Sequence, residues 1–191
     1  MAGEKLQNTE NVSTGKPKAG GAVFVAPAGT ALPTDATTAL AAAFKCVGFI
    51  DTDGVTVTPT ETSNDFSDWG GDTVESDKTD YKETTKFAMI ETKADNMRLI
   101  YGDGSVTGDD ETGFAVLHKG GNVEEHVLVV DTLIKDKKVR RIVVPRAVFD
   151  TMDAVAYKKT ELVKYATTFK NLHSPEIGAP SKEYVSPKAV A

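Results

Sequence analysis

Alternation of apolar and polar residues dominates the second half of the chain. The clearest case is residues 162–171, where every second position is filled by Val163, Tyr165, Thr167 or Phe169. A period of two residues is typical of a strand with one buried face. By the same criterion the sequence predicts β structure throughout the C-terminal half, over residues 114–118, 125–135, 139–149, 154–158 and 162–171.

Further strands are predicted in the first half. Residues 22–26 form a short apolar run that Pro27 and Gly29 close, as at the end of a strand. A second strand over 47–50 is predicted to turn at Asp53-Gly54 into 55–58, since Asp-Gly between β-prone runs favours a hairpin. Residues 80–92 then show the alternation of a long strand.

Two short helices complete the pattern. Asp35 is placed to cap a helix over residues 37–44. Thr92 is placed to cap a second helix over 93–101, where Met97, Ile100 and Tyr101 form one apolar stripe. Gly102 is predicted to end this helix. The sequence predicts no other helix.

Three polar segments show no periodicity and define the domain organisation. An N-terminal arm spans 1–21, a long loop spans 59–79 within the folded domain 22–173, and a tail with three prolines spans 174–191. Because such compositions bury little apolar surface, we expect them to be mobile in a free subunit and ordered by a neighbouring one. The only tryptophan, Trp69, lies in the loop.

The predicted fold is mainly β. It is an antiparallel sandwich or barrel-like sheet with one or two short helices, two flexible arms and one long loop. With 191 residues and 40% hydrophobic composition, the chain is long enough to bury one core. Long alternating strands leave sheet edges that must be covered, and assembly through the edges is one way to cover them.

Motifs of enzyme chemistry are absent from the sequence. The histidines His118, His126 and His173 are too far apart for zinc-ligand spacing, and Cys46 is the only cysteine. Residues 103–114 imitate a calcium loop, but its twelfth position is Phe114 where glutamate is needed. We therefore expect no catalytic residues, no metal and no cofactor. The sequence predicts a protein that is not an enzyme.

The sequence also lacks the marks of export and of membrane insertion. The first residues carry no apolar stretch of the signal-peptide kind, and no window reaches about 18 apolar residues. We expect synthesis in a reducing cytoplasm and no membrane partner.

Charge is concentrated in two blocks of opposite sign. Residues 61–83 hold eight acidic and two basic residues, a net charge of −6, and residues 135–146 hold six basic and one acidic residue, a net charge of +5. We interpret them as complementary surfaces that meet between subunits, with most of Lys137, Lys138, Arg140 and Arg141 facing a neighbour or the exterior. The alternative is that both blocks are simply solvated.

Several segments closely resemble siphophage tail tube proteins, also called major tail proteins, in the family's order. They are AVFVAPAGTALPTDATTAL (22–40), VGFIDTDGVT (47–56), DWGGDTV (68–74), IYGDGSVTG (100–108), KVRRIVVPRA (138–147) and ELVKYATTF (161–169). The resemblance implies a β-sandwich that closes into hexameric rings, stacked as a hollow virion tail tube. It also implies that viral DNA passes through the lumen without sequence-specific binding. The implied partners are further copies, the tape-measure protein and the tail terminator and distal tail proteins.

The candidate interface residues come from the loop and from the basic block. They are Asp68, Trp69, Gly70, Gly71, Asp72, Arg140 and Arg141. Within this set Trp69 is the expected anchor in a neighbouring subunit, because a rigid ring buries much area for little lost entropy. Two alternatives remain open: a subunit of a contractile or secretion-system tube, and a carbohydrate-binding or adhesin-like β-sandwich in which Trp69 is a sugar platform.

Overall fold

The computed structural model describes residues 7, 9, 12–135 and 138–187. One α-helix and one short 3-10 turn, Asp103–Ser105, accompany the strands in this part of the chain. The helix is α1 (Ala94–Tyr101), and the strands are β1 (Lys16–Pro17), β2 (Val23–Pro27), β3 (Lys45–Cys46), β4 (Ile50–Ser67), β5 (Thr73–Met89), β6 (Val106–Asp109), β7 (Gly113–Val116), β8 (Glu125–Leu133), β9 (Val139–Met152), β10 (Tyr165–Asn171) and β11 (Lys182–Val185).

The strands form one large open sheet and one small hairpin. The large sheet has the order β3-β2-β8-β9-β10-β5-β4, and every pairing in it is antiparallel. Strands β6 and β7 pair separately. The predicted mainly-β, antiparallel class is confirmed, and the described sheet does not close into a barrel.

Helix α1 covers the centre of the large sheet. It buries Met97, Leu99 and Ile100 in the main apolar core, which Phe87 and Phe169 share as a stacked pair at 5.4 Å. The predicted helix and its end are confirmed, because Gly102 has φ 86° and donates its N–H to Arg98. The predicted cap is wrong, since no side chain caps the helix at its N-cap residue.

The predicted helix over 37–44 does not form. Asp35 does accept the backbone N–H groups of Thr37 and Thr38, both at 2.6 Å, but only a local turn results. The guanidinium of Arg141 binds the carbonyl oxygens of Asp35 and Thr38, at 3.1 and 2.8 Å. A helix would need these two carbonyls for its own i to i+4 hydrogen bonds, so the side chain of Arg141 competes with helix formation.

The Asp53-Gly54 pair makes a bulge and not a hairpin turn. Strand β4 continues through it, and its pairing with β5 jumps from Ile50 opposite Met89 to Val55 opposite Phe87. Gly54 adopts φ 70°, a left-handed conformation that glycine takes without strain. The strand predicted over 154–158 is absent as well, although β2, β8, β9 and β10 lie where the alternation placed strands.

The long loop predicted over 59–79 is wrong. It is the outer part of a hairpin whose strands β4 and β5 pair from Val55 opposite Phe87 to Ser67 opposite Thr73. Residues 59–80 are exposed on both faces of this hairpin. A strand with two solvated faces needs no alternation of apolar and polar residues, so the sequence carried no period to detect.

The two arms pair with the domain at one place each. Strand β1 joins β8, with Lys16 opposite Leu133, and β11 joins β9, with Tyr184 opposite Arg141. The polar composition of the arms did not predict these two pairings. The expectation that the arms are mobile in a free subunit and ordered by a neighbour stays a prediction. Parts of both arms, residues 1–6, 8, 10–11 and 188–191, lie outside the described residues.

Candidate assembly surface

An isolated two-stranded ribbon projects from the large sheet. Strand β10 pairs with β5 only from Met89 to Glu83, and in the described chain no further strand flanks β4 or β5 beyond that point. The nine residues from Pro59 to Ser67 extend it by about 30 Å at roughly 3.3 Å per residue. We call residues 59–83 the acidic ribbon, because residues 61–83 carry a net charge of −6.

The tip of the acidic ribbon is a hydrogen-bonded turn. Asp68 donates its N–H to the carbonyl of Asp72 at 2.8 Å, and its carboxylate accepts the N–H of Asp72 at 2.9 Å. Gly71 has φ 94° and donates to the carbonyl of Asp68, which closes the turn. Trp69 and Gly70 occupy the exposed end, and the relative exposure of Trp69 is 105%. The turn holds Trp69 away from its own domain.

The register of β4 and β5 places the charges of the acidic ribbon on two faces. On one face, Lys78 contacts Glu61, and Ser76 donates to Asp65 at 2.5 Å. The opposite face presents Phe66, which is paired with Glu75, and Asp77, which is paired with Asn64. Among the described residues, Glu75 and Asp77 have no ion-pair partner. We call this second side the open face.

A buried polar network fixes the base of the acidic ribbon. Asn171 on β10 donates to Glu83 at 2.7 Å and to Thr85 at 2.9 Å, and all three side chains are buried. The hydroxyl of Tyr81 donates to the other oxygen of Glu83 at 3.1 Å. Desolvation and this neighbouring carboxylate raise the pKa of Tyr81. The acidic ribbon therefore leaves the domain from a fixed base.

Arg141 is not a surface residue. Its side chain and that of Asp131 are each 1% exposed, and the guanidinium donates two hydrogen bonds to the carboxylate, at 2.7 and 2.8 Å. The prediction that Arg141 faces a neighbour or the exterior is wrong. A charged group can be buried in this way because the guanidinium also finds two backbone carbonyls, so its hydrogen bonds are satisfied.

The rest of the basic block is partly neutralised inside the chain. Arg140 is exposed and pairs with Glu183 of β11 at 2.7 Å. Arg146 donates to both oxygens of Glu125, at 2.6 and 2.8 Å, and this hydrogen bonding lowers the pKa of the carboxyl. Lys137 lies outside the described residues, and Lys138 is half-buried.

Strand pairing adds cations that are distant in sequence to the β8–β9 hairpin, although Lys182 lies farther along β9 and on the sheet face opposite to Arg140. Strand β1 places Lys16 beside Leu133, and Lys18 reaches Asp131 at 3.3 Å. Strand β11 places Lys182 opposite Val143. We call this cluster the basic end; its members are Lys16, Lys18, Lys135, Lys138, Arg140 and Lys182. The charge count along the sequence missed three of them, because only strand pairing brings Lys16, Lys18 and Lys182 to the block.

A groove of about 900 Å³ separates α1 from β2 and β3. Its walls are apolar at Val25 and Leu99, while Asp95 is bound by Lys45 at 2.9 Å and by Arg98 at 3.0 Å. His126 also lines the groove, and its buried Nδ1 atom has no hydrogen-bond partner in the described chain. The groove therefore mixes apolar walls with paired charges.

The part of the chain that the structure describes contains neither a cluster of metal ligands nor a membrane-spanning helix. Over residues 7, 9, 12–135 and 138–187, no three His, Cys, Asp or Glu side chains are grouped as metal ligands would be. In the calcium-like segment, the carboxylate of Asp109 instead accepts the N–H groups of Glu111 and Thr112 within its own turn. No described helix has the length and apolar character needed to cross a bilayer.

Comparison with known proteins identifies the family. The model of the phage tail tube protein family matches residues 8–190, nearly the whole chain of 191 residues. A search of curated proteins finds no match. The matched region includes the acidic ribbon, α1, every described strand and all six cations of the basic end. This family consists of structural proteins of the virion tail, and the chain belongs to it.

Proposed function

We propose that copies of this chain close into hexameric rings and that the rings stack into the tube that delivers phage DNA to the host. The observation that carries the proposal is the acidic ribbon with Trp69 at its tip. In this proposal the protein acts by assembly alone and catalyses no reaction.

The acidic ribbon requires a second subunit for energetic reasons. Two strands without a third are at best marginally stable in water, and this pair extends about 30 Å beyond its last neighbour. Burial of a tryptophan removes about 150–250 Å² from water, which corresponds to about 4–6 kcal/mol. Of the exposed side chains on the acidic ribbon, Trp69 would gain the most free energy from burial. It is therefore the proposed anchor in a neighbouring ring.

The tube has a further set of proposed partners. They are the tape-measure protein, which the tube houses, and the tail terminator and distal tail proteins. A chain with net charge −6 suits a bore through which phosphates must slide, because a basic lining would hold the genome. Subunits are made in the host cytoplasm and end in the virion tail.

Electron microscopy of the purified protein tests the assembly. Wild type is expected to form tubes, whereas Trp69→Ala is expected to stay as folded subunits with an unchanged circular dichroism spectrum. Tyr157→Ala is the matched control, because Tyr157 is another exposed aromatic residue but lies outside the acidic ribbon. Wild type that forms no tubes, or Trp69→Ala tubes of normal length, would contradict the proposal.

The same variant also tests the carbohydrate-binding alternative. An exposed tryptophan beside Gly70-Gly71 is also what a sugar platform would present. A carbohydrate-binding module would lose glycan binding in Trp69→Ala and would form no tubes in either form. Tube formation that depends on Trp69, without glycan binding by the free subunit, favours the tail tube.

A further inference from the structure

We propose that the open face of the acidic ribbon docks on the basic end of a second copy of this chain. This docking rests on the proposed assembly and adds to it the surface that receives the acidic ribbon. It assigns both terminal strands, β1 and β11, to that surface.

The first step is the charge balance of the two surfaces. The acidic ribbon keeps Glu75 and Asp77 free of ion pairs on its open face, within the described chain. The basic end carries six cations, of which Arg140 is paired with Glu183 and Lys18 with the buried Asp131. Lys16, Lys135 and Lys182 are exposed and have no described carboxylate within ion-pair distance. The acidic ribbon therefore has unpaired negative charge, and the basic end has unpaired positive charge.

The second step is that the described acidic ribbon makes no ion pair with the basic end of its own subunit. Among the described residues, every ion pair of the acidic ribbon joins two of its own side chains, Lys78 with Glu61 and Lys82 with Asp80. The buried hydrogen bonds of Asn171 hold the acidic ribbon at its base. Because the acidic ribbon projects beyond its own sheet, its free carboxylates are presented to another molecule.

The third step is the apolar surface beside the charges. Phe66 and Trp69 are exposed on the acidic ribbon, and Val185, which is paired with Arg140, is exposed beside the basic end. Charges mainly orient and accelerate encounter, whereas burial of apolar surface holds the complex together. The two surfaces therefore offer both components of a protein interface, and no residue that the structure describes covers these apolar side chains.

Charge reversal on each side, followed by mixing, tests the docking. The ribbon-reversed protein carries Glu75→Lys and Asp77→Lys, and the end-reversed protein carries Lys16→Glu and Lys182→Glu. Each alone is expected to assemble at least tenfold more slowly than wild type at low salt, when followed by light scattering. An equal mixture is expected to recover the wild-type rate, because reversed ribbons then meet reversed ends and native ribbons meet native ends.

The control for the end-reversed protein is Lys119→Glu with Lys159→Glu, which changes the net charge by the same amount and sign at two exposed lysines outside the basic end. It is expected to assemble at the wild-type rate. Circular dichroism confirms that every variant is folded before assembly is measured. Rapid assembly of both reversed proteins, or a mixture as slow as its components, overturns the docking.

The result also separates the docking from the proposed function. Wild type that forms no tubes overturns the assembly and the docking together. Assembly that is lost in Trp69→Ala but proceeds at the wild-type rate in both charge-reversed proteins overturns the docking and leaves the proposed tube assembly intact. Recovery in the mixture supports both.

Discussion

Replacement of Arg141 by methionine should destabilise the subunit strongly. The change removes two hydrogen bonds to Asp131 and two to backbone carbonyls, at distances of 2.7 to 3.1 Å. Asp131 then stays buried with only Lys18 at 3.3 Å as a cationic partner. Leaving one member of a buried ion pair uncompensated typically costs about 3–5 kcal/mol, a large share of the roughly 5–15 kcal/mol that stabilises a domain.

Equilibrium urea unfolding of the free subunit measures this cost. Far-UV circular dichroism is the suitable signal, because Trp69 is fully exposed in the folded subunit and its fluorescence hardly reports the core. Arg140→Met is the matched control, since the neighbouring arginine is exposed and pairs only with Glu183. A surface pair of that kind contributes at most about 1 kcal/mol.

A double variant checks the mechanism. Asp131→Leu with Arg141→Met removes both charges, so most of the lost free energy of unfolding should return, although the two carbonyls remain without the guanidinium. Equal unfolding free energies for Arg141→Met and Arg140→Met would refute the assignment of Arg141 as a buried structural residue. A double variant no more stable than Arg141→Met would show that the buried carboxylate is not the main cause.

Two further predictions concern turns and pH. Gly108→Ala should lower the free energy of unfolding by about 1–2 kcal/mol or more in the same urea assay. The reason is that Gly108 has φ 93° and that an added Cβ would collide with the carbonyl oxygen of Gly113. Gly104→Ala is the control and should change the free energy of unfolding little, because there is open space around Gly104. The hydrogen bond from Lys164 lowers the pKa of Asp51 from 3.8, so the pair stabilises the fold above about pH 4, and this stabilisation is lost as acid titrates the carboxylate. Asp51→Asn should therefore lower the urea midpoint at pH 7 and leave a smaller fall between pH 4 and pH 2; an unchanged pH profile would contradict this.

The sequence predicts those elements in which one face is buried. The alternation around Tyr165 and Phe169 corresponds to β10, and the stripe of Met97 and Ile100 corresponds to α1. In both cases burial of a single face imposes a period, and a period can be detected along the chain. The acidic ribbon escaped prediction for the same reason, because neither of its faces is buried.

Long-range contacts explain the other differences. Arg141 is in phase along β9 with Val139 and Val143, which was a signal that its side chain points into the protein. Its partner Asp131 lies at the end of the apolar run of β8, a second such signal. The sequence alone could not pair them across the sheet, nor show that the carbonyl of Thr38 would complete the site.

The assembly surface was predictable in part. Trp69 was singled out as the anchor, and the structure places it at the end of the acidic ribbon, where it is exposed; whether it anchors a neighbour stays a prediction. The basic end could not be foreseen, because Lys16 and Lys182 join it only through backbone pairing with β8 and β9. Arm residues of low hydrophobicity give no sequence pattern that would predict such pairing.

The continuity of β5 gives the subunit a mechanical property. The strand runs from the turn after Trp69 into the core, where seven of its residues, from Glu83 to Met89, pair with β10. A pull on the tip along the strand direction is transmitted along the backbone and loads these cross-strand hydrogen bonds in shear, all together. A sideways pull would instead open them one after another, as in a zipper. A tip that is held by a neighbouring subunit should therefore carry axial tension much better than transverse displacement.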